Sequence, residues 1–411
     1  MKSFGARAKG ERLARMRASE QWVDGEAAEG PDGRTARPAG FRNRGPIRAG
    51  LRDASAPRPT LGEFLCGGDR RVPSGELPLI DPREAWRHGP GRDLRAELRV
   101  TWLGHSTVLL EMGGRRFLTD PVWGARASPS RLAGPKRFHP VPVALKALPP
   151  LDAVLVSHDH YDHLCIASVR ELARLQPGVP FVTSLGVGAH LEAFGVDPAR
   201  IIELDWWESH LFTGKGAGGA GAETRFTAVP AQHFSGRGLK DRNATLWSSF
   251  VIESERERVF FSGDTGLTDQ YAEIRARFGG GAAGAGAGAG RGRPPFDLVM
   301  LEVGAFHPSW CDIHLGPRNA LEALSLLGGG ALLPVHWSTF SLALHAWDEP
   351  AETLLELAPA QGVHLVMPRL GEPVHPARVD AVRPWWRGVD SRAATGTELL
   401  SWPKALPFPL D

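Results

Sequence analysis

"SHDHYDHL", residues 157–164, places three histidines and two aspartates within the six positions from His158 to His163, directly after the apolar run "LDAVLV" (151–156). A short apolar run of this kind reads as a buried strand. Imidazoles and carboxylates at its end must find partners, because an unpaired buried polar group costs roughly 2–7 kcal/mol. His-x-His lets two imidazoles, His158 and His160, leave one short loop toward a common point. Asp162 and His163 can then address a second point nearby. Imidazole nitrogen mixed with carboxylate oxygen is a donor set suited to zinc. A merely solvated loop has no need of this spacing.

A catalytic two-metal site needs further ligands, one of them shared. Three candidates stand at the ends of expected strands: His233 in "VPAQHFS", Asp264 in "FFSGDTG" and His336 in "LLPVHWS". Taken singly, Asp264 could cap a turn and His336 could be a hydrogen-bonded core histidine. Taken with the cluster, the three complete two coordination spheres.

Around this centre the strand pattern is regular. "LRVTWLGHSTVLLEMGGRRFLTDPVW" (98–123) reads as two β-rich runs flanking Gly113-Gly114, a hairpin signal. Strands are expected at "PFVTS", "RFTAVPAQHFS", "LWSSFVIES", "RVFFSGDTG", "FDLVMLEVG" and "GALLPVHWS". Helices are expected at "IASVRELARL", "VGAHLEAFG", "GLTDQYAEIRARF", "GPRNALEALSLLG" and "EPAETLLELAPAQG". Strands in blocks, with helices among the later ones, predict an α/β protein of two packed sheets with helices outside.

The chain has 411 residues and a net charge of +2, which selects no partner. Residues 1–60 carry 13 Lys/Arg against 7 Asp/Glu, a balance of +6, leaving −4 on the remainder. That basic head is rich in Arg, Gly, Ala and Pro and is read as a disordered arm. Residues 61–98 are a lead-in, 99–380 the catalytic domain and 381–411 a C-terminal tail. "GKGAGGAGA" (214–222) and "GGGAAGAGAGAGRGR" (279–293) are low-complexity surface insertions. Cys66, Cys165 and Cys311 are too few and too scattered for a disulfide framework. With no apolar leader segment and no run of 18 apolar residues, a cytoplasmic location is expected.

The order H-x-H-x-D-H, His, Asp, His resembles that of the metallo-β-lactamase superfamily. "TWLGHSTVLLEM", "ASPSRLAGPKRF", "LPPLDAVLVSHDHYDHL", "VPAQHFSGRGLKDRNATLWSSFVI" and "VHWSTF" are similar, more narrowly, to the N-acyl-phosphatidylethanolamine-hydrolysing phospholipase D branch. The likeness spans about residues 95–375. Residues 1–60 and the two Gly/Ala insertions have no counterpart in it. It implies the αββα four-layer sandwich and two zinc ions. His158, His160 and His233 would hold the first ion, Asp162, His163 and His336 the second, with Asp264 between them. It also implies catalytic parts for Asp162 and Asp264. His314 would contact the substrate phosphate or give a proton to the leaving group, and Tyr161 would line the pocket. Asp120 and His105 are read as supports for ligands, and most of the 13 tryptophans as core. A Glu where this chain has His160 marks relatives that use iron for redox chemistry. The all-nitrogen first site favours zinc and hydrolysis.

The resulting expectation is a zinc-dependent phosphodiesterase acting on a phospholipid with a large head group. The basic arm would touch anionic membrane from the cytoplasmic side, each Lys or Arg contributing on the order of 1 kcal/mol. No nucleic acid is expected, because the body is acidic and no aromatic residues interleave the basic ones. Two rivals stand beside this reading: a lactonase or other small-ester hydrolase of the same fold, and a regulatory protein with a structural metal. Structural zinc sites are thiolate-rich and closed, and this donor set is neither.

Overall fold

Ala153–Val156, the run that precedes the histidine cluster, is a strand whose side chains alternate as a pleat requires. Ala153 and Leu155 join the core between two sheets, whereas Val154 and Val156 join a second core under helices. The computed structural model describes residues 4–25, 38–44, 70–87, 98–130, 132–214, 216, 223–279, 294–308, 310 and 313–392.

The first sheet contains β1 (Arg99–Gly104), β2 (Thr107–Met112), β3 (Arg115–Thr119), β4 (Ala153–Val156), β5 (Phe181–Ser184) and β6 (Ile201–Leu204). The second contains β7 (Ser209–Phe212), β8 (Thr224–Val229), β9 (Ser249–Glu253), β10 (Arg258–Phe261), β11 (Leu298–Glu302) and β12 (Ala331–Val335). A short β13 (Pro373–Val374) pairs with β1 and closes the first sheet's edge. The orders are β13-β1-β2-β3-β4-β5-β6 and β7-β8-β9-β10-β11-β12. Each sheet begins with antiparallel pairs and ends with parallel ones, β3 to β6 in the first and β10 to β12 in the second. Parallel neighbours need crossovers, and α-helices supply all of them except the one from β3 to β4, which runs through an irregular segment.

Helices α2 (Ile166–Leu175) and α3 (Gly188–Ala193) lie against the first sheet through Val169, Leu172 and Leu191. Helices α4 (Gln270–Gly279), α5 (Gly316–Leu327) and α6 (Glu349–Leu357) bury Ile274, Leu321, Leu324 and Leu354 on the other side. The result is the expected αββα sandwich. Strand C-terminal ends of both sheets meet at one edge, and the polar loops leave from there.

Several expectations are corrected. The arm is not wholly disordered: Gly10–Arg17 forms helix α1, with Met16 buried among Leu185, Trp206 and Trp247. Arg12 pairs with Glu192 and Glu203, and Phe41 is fully buried. The few apolar side chains of the arm find a hydrophobic seat that periodicity within the arm could not show. The tail is likewise packed as far as residue 392, with Trp386 buried and Ser391–Arg392 paired to Val72–Pro73. Strand β8 ends at Val229, so His233 leaves from the following loop rather than from a strand end. Nearly all of both Gly/Ala insertions, Cys66, Cys311 and residues 393–411 lie outside the described residues.

Candidate metal centre

Four loops at one edge of the sandwich carry the donors. The loop after β4 brings His158, His160, Asp162 and His163. The loop after β8 brings His233, the one after β10 brings Asp264, and His336 directly follows β12. Their donor atoms fall into two groups, each within 4.8 Å: His158, His160, His233 and Asp264; and Asp162, His163 and His336 together with His105. A third group, Asp264, His314 and His336, overlaps both. Asp264 Oδ2 lies between them, 3.1 Å from His163 Nε2, 3.2 Å from His336 Nε2, 3.7 Å from His233 Nε2 and 3.8 Å from His158 Nε2. The structure thus brings together all seven residues singled out in the sequence.

Hydrogen bonds behind the rings orient them. Asp120 is fully buried and accepts from the Ser157 backbone N–H and hydroxyl, both at 2.7 Å. With its proton spent there, Ser157 Oγ accepts from His158 Nδ1 at 2.9 Å. His163 Nδ1 donates to Asp120 Oδ2 at 2.7 Å and His233 Nδ1 to the Ile313 carbonyl at 2.9 Å. All three rings are therefore held at Nδ1 and turn Nε2 to the centre, the orientation a metal requires. His105 sets Nε2 3.0 Å from Asp162 Oδ2 and donates its backbone N–H to the Thr339 hydroxyl oxygen. Asp120 lies behind His163 and Ser157, whereas His105 stands within the second donor group itself.

The backbone here is strained. Of the eight non-glycine residues with positive φ among the described residues, five surround the centre: His105, Asp120, Ala305, His336 and Ser338. Such conformations cost of order 1–3 kcal/mol each and persist at functional sites. Gly304 is required on steric grounds, since a Cβ there would sit 2.0 Å from the His336 carbonyl oxygen.

Burial dominates the electrostatics. It holds His158 and His233 well below the usual imidazole range, as neutral imidazoles. At His163 and His336 the Asp264 and Asp162 carboxylates outweigh burial. They lift His163 well above its ordinary value and His336 to about 10. The same imidazoles hold Asp162 and Asp264 well below the carboxylate range against burial. His158 Nε2 and His233 Nε2 stand 2.9 and 3.2 Å from His160 Nδ1, and Asp264 Oδ1 is buried without a hydrogen-bond partner. Converging lone pairs and an orphan carboxylate oxygen form a cradle for positive charge, so the donor set fits divalent metal.

The region 115–337 matches the model of the β-lactamase superfamily domain, more than half of the chain. The chain belongs to the metallo-β-lactamase superfamily. Among its relatives in the superfamily, an uncharacterized protein of Mycobacterium tuberculosis is 42% identical over 85% of this chain and 87% of its own length. The N-acyl-phosphatidylethanolamine-hydrolyzing phospholipase D 1 of Caenorhabditis elegans is 36% identical over 64% of this chain and 70% of its own. The solved isothiocyanate hydrolase from Delia radicum gut bacteria is similar in fold, with a TM-score of 0.50 and 19% identity over 67% of this chain and 98% of that one. This metallo-β-lactamase superfamily member is a metal-dependent hydrolase.

His314 stands at the open side of the centre, its ring 5.1 Å from that of His233 and 5.3 Å from that of His336. Sequence reading missed its partner: Glu302, the fully buried last residue of β11, sets Oε1 3.2 Å from His314 Nδ1 and accepts the Leu315 N–H. A lone acid closing the apolar run "LVML" was the available signal. Asn43 was missed too. Its side chain donates to the His233 carbonyl at 2.7 Å and accepts the His233 N–H at 3.0 Å. Tyr161 turns its hydroxyl to the Arg237 carbonyl, 2.6 Å away, with the guanidinium 4.0 Å over its ring.

Proposed function

We propose that the chain is a two-zinc phosphodiesterase that cleaves an N-acyl-phosphatidylethanolamine-type phospholipid to phosphatidic acid and an N-acylethanolamine. The observation that carries this reading is the position of Asp264 Oδ2 between two histidine-rich donor groups, with His314 beside both. His158, His160 and His233 would hold one ion, Asp162, His163 and His336 the other, and Asp264 both. Bound there, zinc supplies Lewis acidity toward the phosphoryl oxygen and acidifies water to near neutrality.

The chain's own residues do the rest. Ser157, Asp120 and the Ile313 carbonyl fix ring tautomers, and strained loops hold the donors without reorganisation during turnover. Water adds to phosphorus, the bond from phosphorus to the head-group oxygen breaks, and the departing alkoxide needs a proton. His314, held at Nδ1 by Glu302, offers Nε2 for that transfer. Support for the lipid comes from relatives in Caenorhabditis elegans and Saccharomyces cerevisiae that carry this activity in their names, at 36% and 32% identity. Peripheral contact with anionic lipid belongs to the same proposal: among the described residues no helix is long and apolar enough to cross a membrane, and Leu239 is 78% exposed next to Lys240.

The test is turnover of the zinc-loaded protein on N-acylphosphatidylethanolamine, bis-p-nitrophenyl phosphate and homoserine lactones, with products identified by mass spectrometry. Phosphatidic acid and N-acylethanolamine in equal amounts are expected. Lactone opening without phosphodiester cleavage would replace this reading with that of a lactonase.

A further inference from the structure

His336 also borders a second space, outside the donor groups. Arg71, Ser338, Ser341 and His345 line it together with apolar side chains, no carboxylate is among the lining residues, and its interior has room for about one particle the size of water. Arg71 is only 2% exposed. Its Nη2 donates to the Ala343 carbonyl, but Nε and Nη1 have no partner. The hydroxyls of Ser338 and Ser341 and the Nδ1 of His336 are buried and unpartnered as well. His345 is satisfied: the Ala305 N–H donates to its Nε2 and its Nδ1–H donates to the Ala346 carbonyl, so it is neutral.

We propose that this pocket binds one small inorganic anion of the chloride class, held by Arg71, Ser338, Ser341 and the Nδ1–H of His336. A buried guanidinium without a carboxylate is an uncompensated charge, the costliest group to bury. Burial lowers Arg71 only to about 10, so it remains a cation at neutral pH. The unpartnered atoms around the space are donors or can act as donors. A water molecule accepts about two hydrogen bonds and must place two of its own, whereas a halide accepts from all sides and neutralises Arg71. The anion would also give His336 the Nδ1 acceptor that ligating histidines ordinarily have. That consequence rests on His336 as a metal ligand; the anion site itself does not.

The full-length protein, loaded with zinc from acetate and dialysed into gluconate, supplies the test. Crystals grown with bromide should show one anomalous peak beside Arg71. Tm should rise and saturate with added chloride at constant ionic strength, by ligand linkage. Ser341→Ala should weaken that response about tenfold, the value of a hydrogen bond to a charged group, and Arg71→Met should abolish it. No bromide peak in the wild-type protein, or an equal chloride response in Arg71→Met, would overturn the proposal. If Arg71→Met fails to fold, the wild-type diffraction experiment decides. Because no arm measures turnover, the result is independent of the phospholipid reading.

Discussion

Asp264 serves as one carboxylate facing four imidazoles, and its replacement separates a shared ligand from a turn cap. Asp264→Asn keeps the shape and removes the charge that draws two cations together. We expect loss of at least one metal by elemental analysis and a fall in turnover of roughly a thousandfold, about 4 kcal/mol of barrier. Circular dichroism should be unchanged, since the apolar residues of β10 keep their contacts. His314→Gln should behave differently. Metal content should be retained while turnover falls roughly a hundredfold or more, and a variant that loses zinc instead would make His314 a ligand. The raised His336 and lowered His158 and His233 also set a pH dependence for the chelated protein. His336 binds its proton more tightly folded than unfolded, so its contribution is full below the unfolded value near 6.5 and lost as pH rises toward 10. His158 and His233 resist protons in the folded state, so theirs is lost as pH falls below about 6.5. Melting of the chelated protein should therefore peak near pH 6.5. A monotonic profile would mean that these carboxylates and imidazoles do not face one another.

At the scale of elements, the sequence was legible wherever an apolar run was bounded by turns. β4, β5, β9 to β12 and helix α2 stand where their patterns put them, because each is buried on both faces or amphipathic with a clear period. Ile201–Leu204 and Ser209–Phe212 were not seen. Both are edge strands with mostly half-exposed side chains, and "IIEL" and "SHLF" have neither a long apolar run nor alternation. The cluster from His158 to His163 was legible because its spacing is local, and Asp264 and His336 because each follows an apolar run. Glu302 and Asn43 were not, because their meaning depends on partners 12 and 190 residues away. The second Gly/Ala insertion gives an element-scale prediction. A Cβ on Gly279 would lie 3.4 Å from Pro295 Cγ, so the chain returns close to where it departs. Replacing residues 280–293 with a short turn should leave Tm within a few degrees and turnover near wild type, since halving a loop changes closure free energy by only about 0.6 kcal/mol. A large loss of activity would assign the insertion a part in substrate binding.

For the whole molecule, residues 4–25 and 38–44 of the arm are the part that sequence reading placed outside the fold and the structure places within it. Removing residues 1–44 should uncover the seat of Met16 and Phe41, at about 1.5–3 kcal/mol for each side chain. It should also free the backbone of His233. We expect a fall in Tm together with weaker zinc retention, measured by competition with a chelator. An unchanged Tm would mean that the arm does not dock.

The contact between Asn43 and His233 bridges 190 residues, and this separation also orders events during synthesis. At about 5–20 residues per second, on the order of ten to forty seconds pass between the appearance of the two on the ribosome. Throughout that interval the segment made first has nowhere to sit, because Leu185, Trp206 and Trp247 are not yet assembled around it. Met16 and Phe41 thus emerge well before the side chains they dock against. The loop that carries His233 gains its two hydrogen bonds to Asn43 only once the segment from Leu185 to Trp247 has been made and folded around the arm.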